Sequence, residues 1–147
     1  MYKKLIVYKD YNGNERKEFF YFNLTKVELS KWEVETSGGM REVLENIIKT
    51  QDRKGLVELF DDVIRRSYGE KSSDGKYFMK SEEILQRFIS TEAYTTLFME
   101  LASNDTAASE FINGIMPPEL LEEARKEAAK EGNDVAVIDG TNITSLT

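Results

Sequence analysis

Two residue types are missing outright from this chain: it has no cysteine and no histidine. Without cysteine there is no disulfide, no thiolate nucleophile and no sulfur ligand for a metal. Without histidine the chain lacks the side chain whose ordinary pKa suits proton transfer near neutral pH, and the usual ligand for zinc, copper or iron. Proline is scarce, with two residues that adjoin, Pro117 and Pro118. Long apolar runs are absent as well. The N-terminal run 5–8 is far short of the ~18 residues of a membrane span, and no small-residue cleavage site follows it. A cytosolic protein is expected, so the N-x-S/T triplets at Asn23, Asn104 and Asn142 carry no glycosylation reading. Positive charge is in deficit: 20 Lys and Arg against 27 Asp and Glu leave a formal charge of −7. Binding to a phosphate backbone rests on cations that displace counterions. Neither nucleic acid nor membrane is expected as a partner.

What is present suits an ordinary folded domain. The chain has 147 residues, 40% of them hydrophobic, and a chain of this size buries roughly 70% of its unfolded surface without help from a metal. The N-terminus reads as a β-hairpin over 3–22, with strands at 3–10 and 15–22 around Asn12-Gly13. Asn-Gly favours a two-residue turn with positive φ at both positions. That turn pairs Tyr8 with Lys17, Ile6 with Phe19 and Leu5 with Phe20. Leu5, Val7, Phe20 and Phe22 then share one face, and Ile6, Tyr8, Phe19 and Tyr21 the other. With both faces apolar, either further elements cover both or one of them docks a partner.

Helical spacing dominates the rest. Thr25 and Glu28 have the capping-box spacing, and Leu24 and Leu29 the staple positions, for a helix that carries Trp32 and stops before Ser37-Gly38-Gly39. A second helix is expected over 40–50, with Val43, Leu44, Ile47 and Ile48 on one stripe. A third, capped by Asp52, runs to about residue 67 with Leu56, Val57, Phe60, Val63 and Ile64 inward. Ser81 caps a helix with Ile84, Leu85, Phe88 and Ile89. Ser90 or Thr91 starts another with Tyr94, Leu97, Phe98 and Leu101. Asp105 caps a short helix with Phe111 and Ile112, broken by Gly114 and the proline pair. A last, very polar helix over 118–132 leads into a mobile tail. The expected architecture is α+β and mainly helical: a hairpin followed by a bundle of about six helices. Residues 1–117 form one domain, and 118–147 form the flexible acidic segment.

The segment SYGEKSSDGKYFMKSEE, 67–83, resembles a phosphate loop and fails as one. Five residues separate Gly69 from Gly75 where four are needed, and Tyr77 follows Lys76 where a hydroxyl should hold Mg²⁺. It fails as a calcium loop for want of alternating oxygen ligands. It reads as a helix stop at Gly69, a turn at Asp74-Gly75, an apolar anchor at 77–79 and a cap at Ser81. The carboxylate pairs Asp61-Asp62, Glu82-Glu83 and Glu122-Glu123 fall on polar helix faces, and Ser67, Ser72 and Ser73 have no base. No catalytic residue, metal ligand or cofactor is therefore expected. A small enzyme of carboxylate chemistry is the weaker alternative. The abundant aromatics serve either the core or a groove for apolar helices. The candidate partner-binding residues are Ile6, Tyr8, Phe19 and Tyr21 on one hairpin face, with Tyr94, Leu97, Phe98 and Leu101 on the helix at 94–101.

Several segments occur in a telling order: YKDYNGNERKEFFYFNLTKVEL, the SGG break, SYGEKSSDGKYFMKSEE, TEAYTTLFMELASN and FINGIMP. Over residues 2 to 118 this order resembles the tail assembly chaperones of long-tailed bacteriophages and prophages of Gram-positive hosts. The resemblance implies a non-enzymatic protein of the host cell cytoplasm that is not retained in the virion. It implies that the protein coats the hydrophobic tape measure protein, self-associates along it, and helps recruit tail tube protein, in some phages through a frameshifted longer form. A structural head–tail or tail adaptor is the alternative within the phage particle.

Overall fold

The computed structural model describes residues 1–35 and 53–119. Two strands open the chain, β1 (Tyr2–Lys9) and β2 (Glu15–Phe22). Helices α1 (Lys26–Glu35) and α2 (Arg53–Ser67) follow. Next come two short strands, β3 (Tyr68–Lys71) and β4 (Phe78–Met79). Helices α3 (Glu82–Ile89), α4 (Glu92–Ser103) and α5 (Asp105–Ile115) complete the order. The strands form one antiparallel sheet, β1-β2-β3-β4. The α+β class stands, with one correction among the described residues: the hairpin is widened by a second one over 68–79. Five helices are described, of the about six expected. The expected helix at 40–50, residues 120–132 of the last one and the C-terminal tail lie outside the described residues.

The hairpin register differs from the expected one by one residue. Tyr2 pairs with Phe22, Leu5 with Phe19 and Tyr8 with Arg16. The cause is the turn. Asp10 N–H donates to the Asn14 carbonyl at 2.9 Å, and Gly13 N–H donates to the Asp10 carbonyl at 2.9 Å. Gly13 takes the left-handed position, at φ 86°. This is the three-residue loop ending in a left-handed glycine, not the two-residue turn. The Asp10 carboxylate holds it by accepting from the Asn12 and Asn14 amides, each at 2.9 Å, and from Arg16 Nε at 2.9 Å. Because side chains alternate, a shift of one residue regroups the faces. Phe20 and Phe22 join Tyr2, Ile6 and Tyr8, whereas Phe19 and Tyr21 join Leu5 and Val7.

The face with Tyr2, Ile6, Tyr8, Phe20 and Phe22 lies against the helices and forms the core with them. Ile6 and Phe22 are buried, as are Phe88, Leu97, Leu101 and Phe111. Phe22 stands at the centre, with ring centroids 5.6 Å from Tyr68, 5.8 Å from Phe88 and 5.2 Å from Phe111. Tyr68 and Phe88 stack at 4.2 Å. Helix α4 crosses β1, where Lys4 pairs with Glu100 at 3.0 Å. Trp32 of α1 is buried and lines an apolar cleft with Leu24, Leu59, Val63, Ile112, Ile115 and Met116.

Local signals account for most helix starts. Thr25 N–H donates to Glu28 Oε1 at 2.9 Å, and Glu28 N–H donates to Thr25 Oγ1 at 3.1 Å. Ser81 and Thr91 cap α3 and α4. Asn104, one residue ahead of the expected Asp105, caps α5 by accepting from the Ala107 amide at 3.0 Å. Gly114 lies inside α5 against the Tyr2 ring and does not break the helix. Val57, expected inward on α2, is exposed.

Candidate functional site

The outer face of the hairpin is the one broad apolar surface that the described elements leave uncovered on the sheet. Along β1 its row is Lys3, Leu5, Val7 and Lys9. Along β2 it is Tyr21, Phe19, Lys17 and Glu15, each paired with its neighbour across the ladder. Leu5 is 46% exposed, Val7 42% and Phe19 52%. Tyr21 is half-buried. The Lys3 ammonium lies 4.2 Å from the Phe19 ring centroid, and that of Lys71 5.6 Å from the Tyr21 ring. The apolar strip is thus bounded by cations that rest on its aromatic rings.

Toward β4 the same face closes. Gly69 pairs with Tyr21, and a Cβ built on Gly69 would lie 2.6 Å from the Phe78 ring and 2.9 Å from the Met79 carbonyl oxygen. The glycine expected to stop the helix is therefore a strand residue that lets Phe78 lie over the sheet. Helix α2 ends two residues earlier, at Ser67. The Asp74-Gly75 turn forms as expected: Gly75 N–H donates to the Ser72 carbonyl at 2.9 Å, and Asp74 accepts from Ser72 Oγ and the Lys76 amide. Lys80 fixes the end of this hairpin. Its ammonium donates to the carbonyls of Asn23 and Arg66, at 2.8 and 2.7 Å, and to Glu28 Oε2 at 2.8 Å. Burial lowers its pKa, and the Glu28 contact opposes that shift.

The eight residues singled out in the sequence do not form one surface. Ile6 and Tyr8 turn inward and are buried, and Leu97 and Leu101 meet them from α4. Tyr94 and Phe98 are half-buried on the helical side, their rings 6.2 Å apart. Tyr94 donates a hydrogen bond to Asp61 of α2. Phe19 and Tyr21 alone lie on the exposed sheet face. Leu5 and Val7 complete that face, and the expected register had assigned them to the opposite one. The missed signal is Asp10, whose side chain selects the longer turn.

Several titratable groups among the described residues are tied into the structure. Asp61 accepts from Arg65 and Asp62 from Arg66. Burial, aided by hydrogen bonds to Glu18 and Asp61 respectively, raises Tyr8 and Tyr94 to about 12. Burial likewise raises Tyr68 to about 12. Tyr8 and Tyr94 donate to the Glu18 and Asp61 carboxylates. Among the described residues, no group of three acidic side chains is placed to hold a metal ion, and no helix is long and apolar enough to cross a membrane.

A family model described as "Phage tail assembly chaperone" matches residues 1–144. No curated protein and no solved structure matches the chain.

Proposed function

The chain belongs to the phage tail assembly chaperone family, and from that premise we propose that it binds the tape measure protein and keeps that apolar client soluble during tail assembly. On this reading it also helps recruit tail tube subunits, acts in the host cytoplasm without catalysis, and is absent from the finished particle. Several copies associate along one client.

The observation that carries the reading is the outer sheet face. Leu5, Val7 and Phe19 are each more than two-fifths exposed on the hairpin, in a chain of formal charge −7. Exposed apolar surface supplies many weak contacts to a client, and the net charge keeps a coated complex in solution. Co-expression tests the proposal. Tape measure fragments are expected to stay in the supernatant with this protein and to pellet without it. Equal pelleting defeats the proposal. Mass spectrometry of purified virions checks the remaining part, because a chaperone that leaves is not detected there.

A further inference from the structure

We propose that the outer face of β1 and β2 docks an amphipathic helix whose apolar stripe is flanked by carboxylates. This rests on the client reading above and adds the chemistry of the docking segment.

Charge carries the inference. In register, the outward positions of β1, β2 and β3 hold Lys3, Lys9, Lys17 and Lys71 against one acid, Glu15. The chain as a whole has 27 acids to 20 bases. The apolar strip of Leu5, Val7, Phe19 and Tyr21 therefore sits within a cationic frame on an anionic protein. A partner with carboxylates beside its apolar stripe is favoured there, and one with lysines is repelled. The frame also steers approach, since the field of a local basic patch acts beyond contact.

Shape selects a helix. Two neighbouring strands are about 10 Å wide at ~4.8 Å per strand, close to the diameter of an α-helix. Lys3 and Lys9 stand six residues apart along β1, about 20 Å, or nearly four helical turns. A strand would instead pair along the sheet edge and leave this face unused.

The test uses the full chain and two designed helical peptides with the same leucine stripe, one flanked by glutamates and the other by lysines. Labelled peptide is followed by fluorescence anisotropy. The glutamate peptide is expected to bind about tenfold more tightly at low salt, with the difference shrinking at high salt. Phe19→Ser is expected to abolish binding of both peptides, and Lys17→Glu combined with Lys71→Glu to reverse the preference. Thermal melts by circular dichroism check that these exposed substitutions leave the fold intact. Equal binding of the two peptides overturns the proposal, as does binding that survives Phe19→Ser. If the native chain binds neither peptide and Phe19→Ser changes only its sedimentation, a second copy covers the face and the proposal fails. If neither peptide binds and sedimentation is unchanged, the chain's own remaining residues cover it, and the proposal fails again. Peptide selectivity alongside pelleted tape measure fragments keeps the docking face and defeats the client reading. Fragments kept soluble equally well by Phe19→Ser do the reverse.

Discussion

The two faces of the N-terminal hairpin have similar composition and opposite fates. One carries Tyr2, Ile6, Tyr8, Phe20 and Phe22, the other Leu5, Val7, Phe19 and Tyr21. Phe22 is fully buried and Phe19 is 52% exposed, three residues apart in one strand. Apolar content therefore does not decide which face becomes core. The alternation of side chains makes two sets, and the register fixed at the turn decides which residues belong to each. The helices then cover only one. Helix α4 crosses β1 on the inner side, tied there by Lys4 and Glu100.

The sharpest way to break this contrast is to shorten one phenylalanine on each side. Phe22→Ala is expected to cost about 3–5 kcal/mol, because a fully buried ring leaves a cavity among three aromatic neighbours. Phe19→Ala should cost under about 1 kcal/mol, mostly its contact with Lys3. Urea denaturation of both variants checks the pair, and equal losses would mean that the outer face is packed as well. A smaller effect probes where the outer face stops being open. Gly69→Ala places a methyl within 2.6 Å of the Phe78 ring, and the overpacking should cost about 1–3 kcal/mol. Its loss relative to a control such as Val7→Ala would show the outer face to be half open and half tiled.

The smallest expected effect lies in the device that sets the register. Asp10 is held below its ordinary value of 3.8 by Arg16 and by the Asn14 and Asn12 amides. A carboxylate with a lowered folded pKa contributes stability that is present above its unfolded pKa and lost as pH falls through the folded one. The Asn12 and Asn14 amide resonances should therefore shift below pH 3.8, while those of the core strands hold. Core and turn resonances that move together would show that acid opens the whole fold and not the turn.

The helix starts were legible in the sequence because their causes are local. Thr25 with Glu28, Ser81 and Thr91 are caps that act within three residues of themselves. The register was not legible from Asn12-Gly13 alone, since the same dipeptide serves a two-residue and a three-residue loop. The choice depends on Asp10 reaching two amides and Arg16 at once. Strand β3 was hidden for another reason. Tyr68 to Lys71 is too short to show a period, and its pairing with Tyr21 and Phe22 is settled by contacts more than 40 positions away in the chain, whereas β4 falls within the extended stretch expected at 77–79 and pairs locally with β3. The exposed face inherited the register error. Phe19 and Tyr21 were identified, Leu5 and Val7 were placed opposite, and Ile6, Tyr8, Leu97 and Leu101 belong to the core. Fully buried positions on a strand and on a helix cannot be told from binding positions by periodicity, because both ask for the same side chains.

Trp32 is the chain's only tryptophan. It lies 5% exposed among the helices, beneath the Arg66 guanidinium at 4.5 Å, and the open sheet face looks the other way. Excited near 295 nm, the molecule thus has a single emitter placed to sense the helical layer. Its emission will redden as that layer comes apart in denaturant and stay unchanged while something settles on the strands. The protein carries an internal optical standard that separates loss of structure from occupancy, with no label attached.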